Sequence, residues 1–159
     1  MVFEIKEFAT RDFRVGDGIF DLNSIYKGVK EKAESMGYKY FENEQSLKST
    51  QYGEEIIFKI LIRKQFDDFG MADMDIEFMF VNMKKIKNHY KGDLKLSIRP
   101  VVKLDWKHKW GRNAFSLFLL NLYRVVFLDN MKKNYIIPVI KDSWEIYDHV
   151  KELVDEYKH

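Results

Sequence analysis

The chain has no cysteine. That excludes thiol nucleophiles, cysteine-ligated zinc and iron–sulfur clusters, and it fits a reducing cytoplasm, the expected location. Proline is nearly absent too: Pro100 and Pro138 are the only two, and there is no Pro/Ser-rich linker, repeat or low-complexity tract. A sequence of 159 residues without such breaks reads as one domain, residues 1–159, long enough to bury a core without metal or disulfide support. Long apolar runs are also missing. The greasiest, Ala114 to Leu128, is interrupted by Ser116, Asn121 and Arg124 and falls short of the roughly 20 residues of a membrane-spanning helix. The N-terminus carries Glu4 and Glu7 and no apolar core, so it does not read as a signal peptide.

Motifs of catalysis are lacking as well. The Gly16–Gly18 turn has neither of the glycine spacings that wrap a phosphate, and no nucleophile elbow occurs. His89, His108, His149 and His159 show no ligand spacing. The expectation is therefore a protein without enzymatic activity, cofactor or metal. An acid–base pair assembled from distant positions such as His89 and Glu77 would overturn it.

What the sequence does contain is periodicity. Phe3, Ile5 and Phe8 suggest a first strand, and Val15 to Gly18 a turn or loop. Leu22, Ile25, Tyr26, Val29, Ala33 and Met36 recur at helical spacing, with Asp21 or Asn23 as N-cap and Gly37 as stop. The period then becomes two. Tyr38 and Tyr40 open a strand, followed by Ile56, Phe58, Ile60, Ile62; by Met74, Ile76, Phe78, Phe80; and by Leu94, Leu96, Ile98, Val102, Leu104. Asp67 to Gly70 suits a hairpin, so these strands form an antiparallel meander, and Pro100 marks an edge or a bulge. Ala114 to about Met131 reads as a helix with too many apolar residues for one stripe, hence buried on more than one side. A second helix follows Pro138, with Asp142 or Ser143 at its start and Ile146, Tyr147, Val150, Leu153, Val154 and Tyr157 on one face.

The fold class is α+β, ordered β-α-β-β-β-β-α-α: a twisted antiparallel sheet of about five strands with helices packed on one face, two of them C-terminal. The inward set comprises Ile56, Phe58, Ile60, Met74, Ile76, Phe78, Leu96, Ile98, Leu119 and Val150. Asp73, Asp75 and Glu77 lie on the opposite face. There Lys59 and Arg63 on one neighbouring strand and Arg99 and Lys103 on the other make a charge lattice a better reading than a metal site.

Charge is unevenly spread. Residues 84 to 112 hold 10 Lys/Arg against 2 Asp/Glu, although the whole chain is only +2. Lys84, Lys85, Lys87, Trp106, Lys107, Lys109, Trp110 and Arg112 are thus candidates for an anionic partner, either nucleic acid met by stacking or a membrane headgroup layer. Phe115, Phe118, Leu119, Leu122, Tyr123 and Val126 are the apolar candidates: core as first choice, otherwise a cavity wall or a surface for a protein partner or a second copy.

The element order resembles the helix-grip fold of START and polyketide-cyclase-like proteins. That resemblance implies an apolar small molecule held between sheet and helix, although those folds have more strands and end in one long helix. The stretches WGRNAFSLFLLNLYRVVF and FDDFGMADMDIEFMF are similar to uncharacterised conserved archaeal proteins, a likeness that implies no activity. The leading function expected is a noncatalytic binding or assembly module, and the alternative is a carrier of an apolar small molecule.

Overall fold

A computed structural model describes residues 3–5, 11–87, 89–104, 113–126, 130 and 132–155. The strands are β1 (Phe3–Ile5), β2 (Arg11–Phe20), β3 (Lys39–Thr50), β4 (Gly53–Gln65), β5 (Gly70–Ile86) and β6 (His89–Leu104). The helices are α1 (Leu22–Ser35), α2 (Ala114–Val126) and α3 (Ile137–Asp155), the last preceded by a π-helical turn, Lys132–Ile136. They form one antiparallel six-stranded sheet in the order β1-β6-β5-β4-β3, with β2 also on β6.

Strands β3 to β6 are the expected meander. The period-two pattern sets its register: Ile60 faces Ile76, which faces Ile98, and Phe58 faces Phe78, which faces Leu96. These side chains share the inner face with Met74, Phe80, Leu94 and Val102, and α1 and α3 close over it with Ile25, Val29, Ala33, Val139, Ile146, Val150 and Val154. Helix α1 starts at Asp21, whose carboxylate accepts from the Ser24 amide and hydroxyl, and stops at Gly37, where φ is +90°. It meets α3 closely at Gly28. A Cβ there would collide with Leu153, so a side chain would push the helices apart.

The outer face carries the charge lattice. Arg63 Nε and Nη2 donate to the two carboxylate oxygens of Asp73 at 2.7 and 3.0 Å, and Lys103 Nζ stands 2.9 Å from the same group. Lys59 faces Glu77, and Asp75 faces Arg99. Asp73 is only 4% exposed. Burial pushes its pKa up, but hydrogen bonds and attraction from Arg63 and Lys103 outweigh that and hold it below the ordinary carboxylate value. Asp75 is shifted the other way, by burial and by the charge of Asp73 beside it.

The structure corrects four expectations. Val15 to Gly18 is no loop: it lies inside β2, where the register against β6 slips between Val15 and Gly18. Beside it β5 slips between Val81 and Lys84, and Asp93 on β6 ties both irregularities, accepting from the Asp17 amide at 2.8 Å and from Asn82 Nδ2 at 3.3 Å. Asp17 and Asn82 both have positive φ, which Asp and Asn tolerate best among non-glycines. Second, β6 is no edge strand, since β1 and β2 pair along its far side. The described pairing there stops at Ile98 and resumes at Val102, and Pro100, lacking a donor, occupies the interval. Third, the C-terminal helix starts at Ile137 and not at Asp142 or Ser143. Pro138 falls in its first turn, where a missing N–H is tolerated, and the backbone before it loosens into the π turn. Fourth, α2 is largely exposed rather than buried on more than one side.

Replacing Asp73 by Asn should cost about 1–3 kcal/mol near neutral pH, because Arg63 and Lys103 lose a shared counter-charge in a half-buried setting. A folded pKa below the unfolded one means stability that is present above the unfolded value and lost as pH falls through the folded one. Urea unfolding of both proteins, at neutral pH and at a pH below the ordinary carboxylate range, should therefore show the gap closing at the lower pH. An equal gap at both pH values would assign the loss to packing.

Candidate interaction surface

Asn113 starts α2, its side-chain oxygen accepting from the Ser116 amide at 2.8 Å and its carbonyl from the Leu117 amide at 3.0 Å. The apolar residues of α2 are spread round the helix, and among them those at 115, 118, 122 and 126 share one side at helical spacing. The stripe points to solvent. Phe115 is 69% exposed, Phe118 60%, Leu122 47%, Val125 78% and Val126 61%. The half-buried positions are Ser116, Leu117, Leu119 and Tyr123, the last two bordering the exposed row. The expected burial of α2 on more than one side is thus overturned, and Leu119 is no member of the buried core. α1 and α3 already cover the inner face of the sheet, leaving α2 only the end beside the β4–β5 hairpin.

The attachment of α2 is aromatic. Tyr123 meets Phe69 edge-on with ring centroids 5.4 Å apart, and Phe69 and Phe66 lie against Tyr135 of the π turn. Tyr135 donates to Asp67 at 2.7 Å, and the other oxygen of Asp67 accepts from the amides of Phe69 and Gly70. Burial, together with the bond to Asp67, pushes the Tyr135 phenol well above its usual range, so it stays protonated as a donor. Gly70 makes room for the Tyr135 ring, because a Cβ would overlap it. Sequence reading missed this cluster; its one local signal is two phenylalanines flanking a carboxylate pair and a glycine in FDDFG.

The basic candidates divide. Lys84, Lys85 and Lys87 are exposed on the β5–β6 hairpin, with Lys84 opposite Lys91 and Lys91 3.7 Å from Asp17. Trp106, Lys107, Lys109, Trp110 and Arg112 lie outside the described residues. Strand β6 ends at Leu104, at the opposite end of the sheet from the hairpin. An open polar cleft of about 540 Å³ beside the hairpin lysines is lined by Asp17, Tyr52, Asn82, Lys84, Lys91 and Asp93, so its cations already face carboxylates.

His89 and Glu77 do not come together: His89 pairs with Ile86 at the hairpin, whereas Glu77 pairs with Ser97 in mid-strand. Tyr38 donates to Asp142 at 2.8 Å where α3 meets the sheet, and burial raises both pKa values. Among the described residues no group of His, Asp and Glu could hold a metal ion, and no helix is long and apolar enough to cross a membrane. The apolar crevice beneath α1, lined by Leu22, Ile25, Tyr26, Phe58, Ile60, Phe78 and Phe80, leaves no room for even a water molecule.

The chain is thus an α+β protein with an open antiparallel sheet, helices on its inner face and an apolar helix at one end. It matches no family model and no curated protein.

Burying the α2 stripe would release roughly 5 kcal/mol or more, from about 1.5–3 kcal/mol per fully buried large apolar side chain. A joint Phe118→Asn and Leu122→Asn substitution should therefore shift the melting temperature by less than about 3 °C and lower the fluorescence of bound anilinonaphthalene sulfonate several-fold. Tyr123→Ala, which removes the anchor, should cost about 1–3 kcal/mol in the same thermal scan.

Proposed function

We propose that the protein is a noncatalytic binding module that docks through α2. The observation that carries this reading is the exposed row of Phe115, Phe118, Leu122, Val125 and Val126 on a helix held to the body by Tyr123. A contiguous apolar surface of that kind costs solubility unless something covers it, so it marks an interaction site. The well-packed space beneath α1 supports a surface role over a cavity role. The sheet order, with β2 beside β6 and with α1 and α3 on the inner face, keeps the likeness to the helix-grip architecture as a proposal about ancestry of the fold. For its ligand chemistry the filled crevice offers no support.

Native mass spectrometry of the purified chain tests the choice. The docking reading expects the mass of the polypeptide, or of an assembly of it, without a retained apolar small molecule. A fatty ligand that stays bound, and stays bound when Phe118 and Leu122 are both replaced by Asn, would put the carrier in its place.

A further inference from the structure

We infer that the free edge of β3 pairs with the same edge of a second copy of this chain, antiparallel, giving a two-fold symmetric dimer with one continuous sheet. The inference stands apart from docking through α2 and rests on different residues.

The edge is open. β3 ends the sheet order, and among the described residues no strand pairs with its other side. Glu44 to Thr50 are all exposed, so no helix covers this stretch on either face. It contains neither proline nor glycine, and the register slip between Glu42 and Glu44 lies before it. Such an edge is a template for another strand, because alternate residues aim their N–H and C=O groups away from the sheet. Charges on an edge ordinarily repel a second copy. Those of β3 attract one.

On the outer face the sign of charge alternates from strand to strand. Glu77 on β5 faces Lys59 on β4, and Lys59 faces Glu44 on β3, with Lys59 Nζ 3.5 Å from the Glu44 carboxylate. Further along β3 the order reverses: Lys48 faces Glu55 on β4. The edge thus presents an anion and a cation on one face, with Ser46 midway between them. Setting a second β3 antiparallel with Ser46 against Ser46 places Glu44 opposite Lys48 of the second copy, and Lys48 opposite its Glu44. The row then runs through Glu77, Lys59 and Glu44 into Lys48 and Glu55 of the second copy, with opposite charges adjacent at every step.

Other centres do worse. Pairing about Glu44 or about Lys48 sets like charges against each other. About Leu47, Glu44 meets Thr50 and Lys48 meets Ser46; about Gln45, Glu44 meets Ser46 and Lys48 reaches Glu42 only beyond the register slip. The register centred on Ser46 also serves the inner face. Leu47, 66% exposed and paired with Ile56 of β4, comes to lie beside Gln45 of the second copy and diagonal to its Leu47.

Sedimentation velocity of the full chain between about 1 μM and 1 mM should show the mass rising from that of one 19.2 kDa chain toward that of two. Lys48→Glu and Glu44→Lys should each weaken this association at least about tenfold, since each sets like charges opposite at both symmetric contacts. Mixed in equal amounts, the two variants should associate again, because opposite charges then face each other at both contacts. Since the chain has no cysteine, Ser46→Cys supplies a single thiol on the two-fold axis. Mild oxidation should cross-link it at least about tenfold faster than Ser49→Cys, whose two thiols would stand about 20 Å apart.

A chain that stays single up to about 1 mM would overturn the proposal. So would a dimer unaffected by either charge variant, weakened variants that fail to associate when mixed, or equal cross-linking at the two cysteine positions. Were a charge variant to unfold, the cysteine pair would still decide, because serine and cysteine are close in size and both positions are exposed.

Discussion

A shift of β5 by one residue against its neighbours would exchange Met74, Ile76, Phe78 and Phe80 for Asp73, Asp75, Glu77 and Met79 beneath the helices, burying three carboxylates in an apolar core. The ladders from β4 through β6 are therefore the constraint on which the remaining structure depends. Apolar burial on the inner face opposes that slip most strongly. The Arg63–Asp73–Lys103 cluster opposes it from the other side, because its carboxylate is nearly buried and has cations on both neighbouring strands. Such a cluster adds little net stability, yet it makes the wrong register expensive by leaving a buried charge unpaired.

The long strands also determine where helices can go. The described pairing runs from the β3–β4 and β5–β6 turns to the β4–β5 hairpin, and α1 and α3 occupy its inner face, in contact with each other at Gly28 and Leu153. Paired irregularities around Asp93 bend the far end, where β2 and β5 each carry an extra residue beside β6. With the inner face taken, α2 is left to the rim and held by the Phe66, Phe69, Tyr123 and Tyr135 cluster. Its exposed stripe is thus a consequence of the architecture as much as of its own composition.

That stripe sets a local preference against its surroundings: a helix with strong apolar periodicity would ordinarily turn that face inward. Here Leu117, Leu119 and Tyr123 are half-buried together with Ser116, while Phe115, Phe118 and Leu122 stay exposed. Exposed apolar rows of this kind concentrate at surfaces that meet something, since a folded chain gains nothing from them alone.

The sequence by itself determined the sheet: strict alternation in β4, β5 and β6 names the buried face residue by residue, and the Asp21 cap and Gly37 stop bound α1, because these signals are local and depend only on the backbone period. It also carried the lattice around Asp73, since opposite charges on adjacent strands follow from the same alternation. Three matters were left to the tertiary structure: the pairing of β1 and β2 with β6, the continuation of β2 through Val15 to Gly18, and the side on which α2 is wet. Each depends on a partner distant in sequence. Asp93 lies 76 residues from Asp17, and Phe118 stays exposed where α1 and α3 already cover the inner face of the sheet.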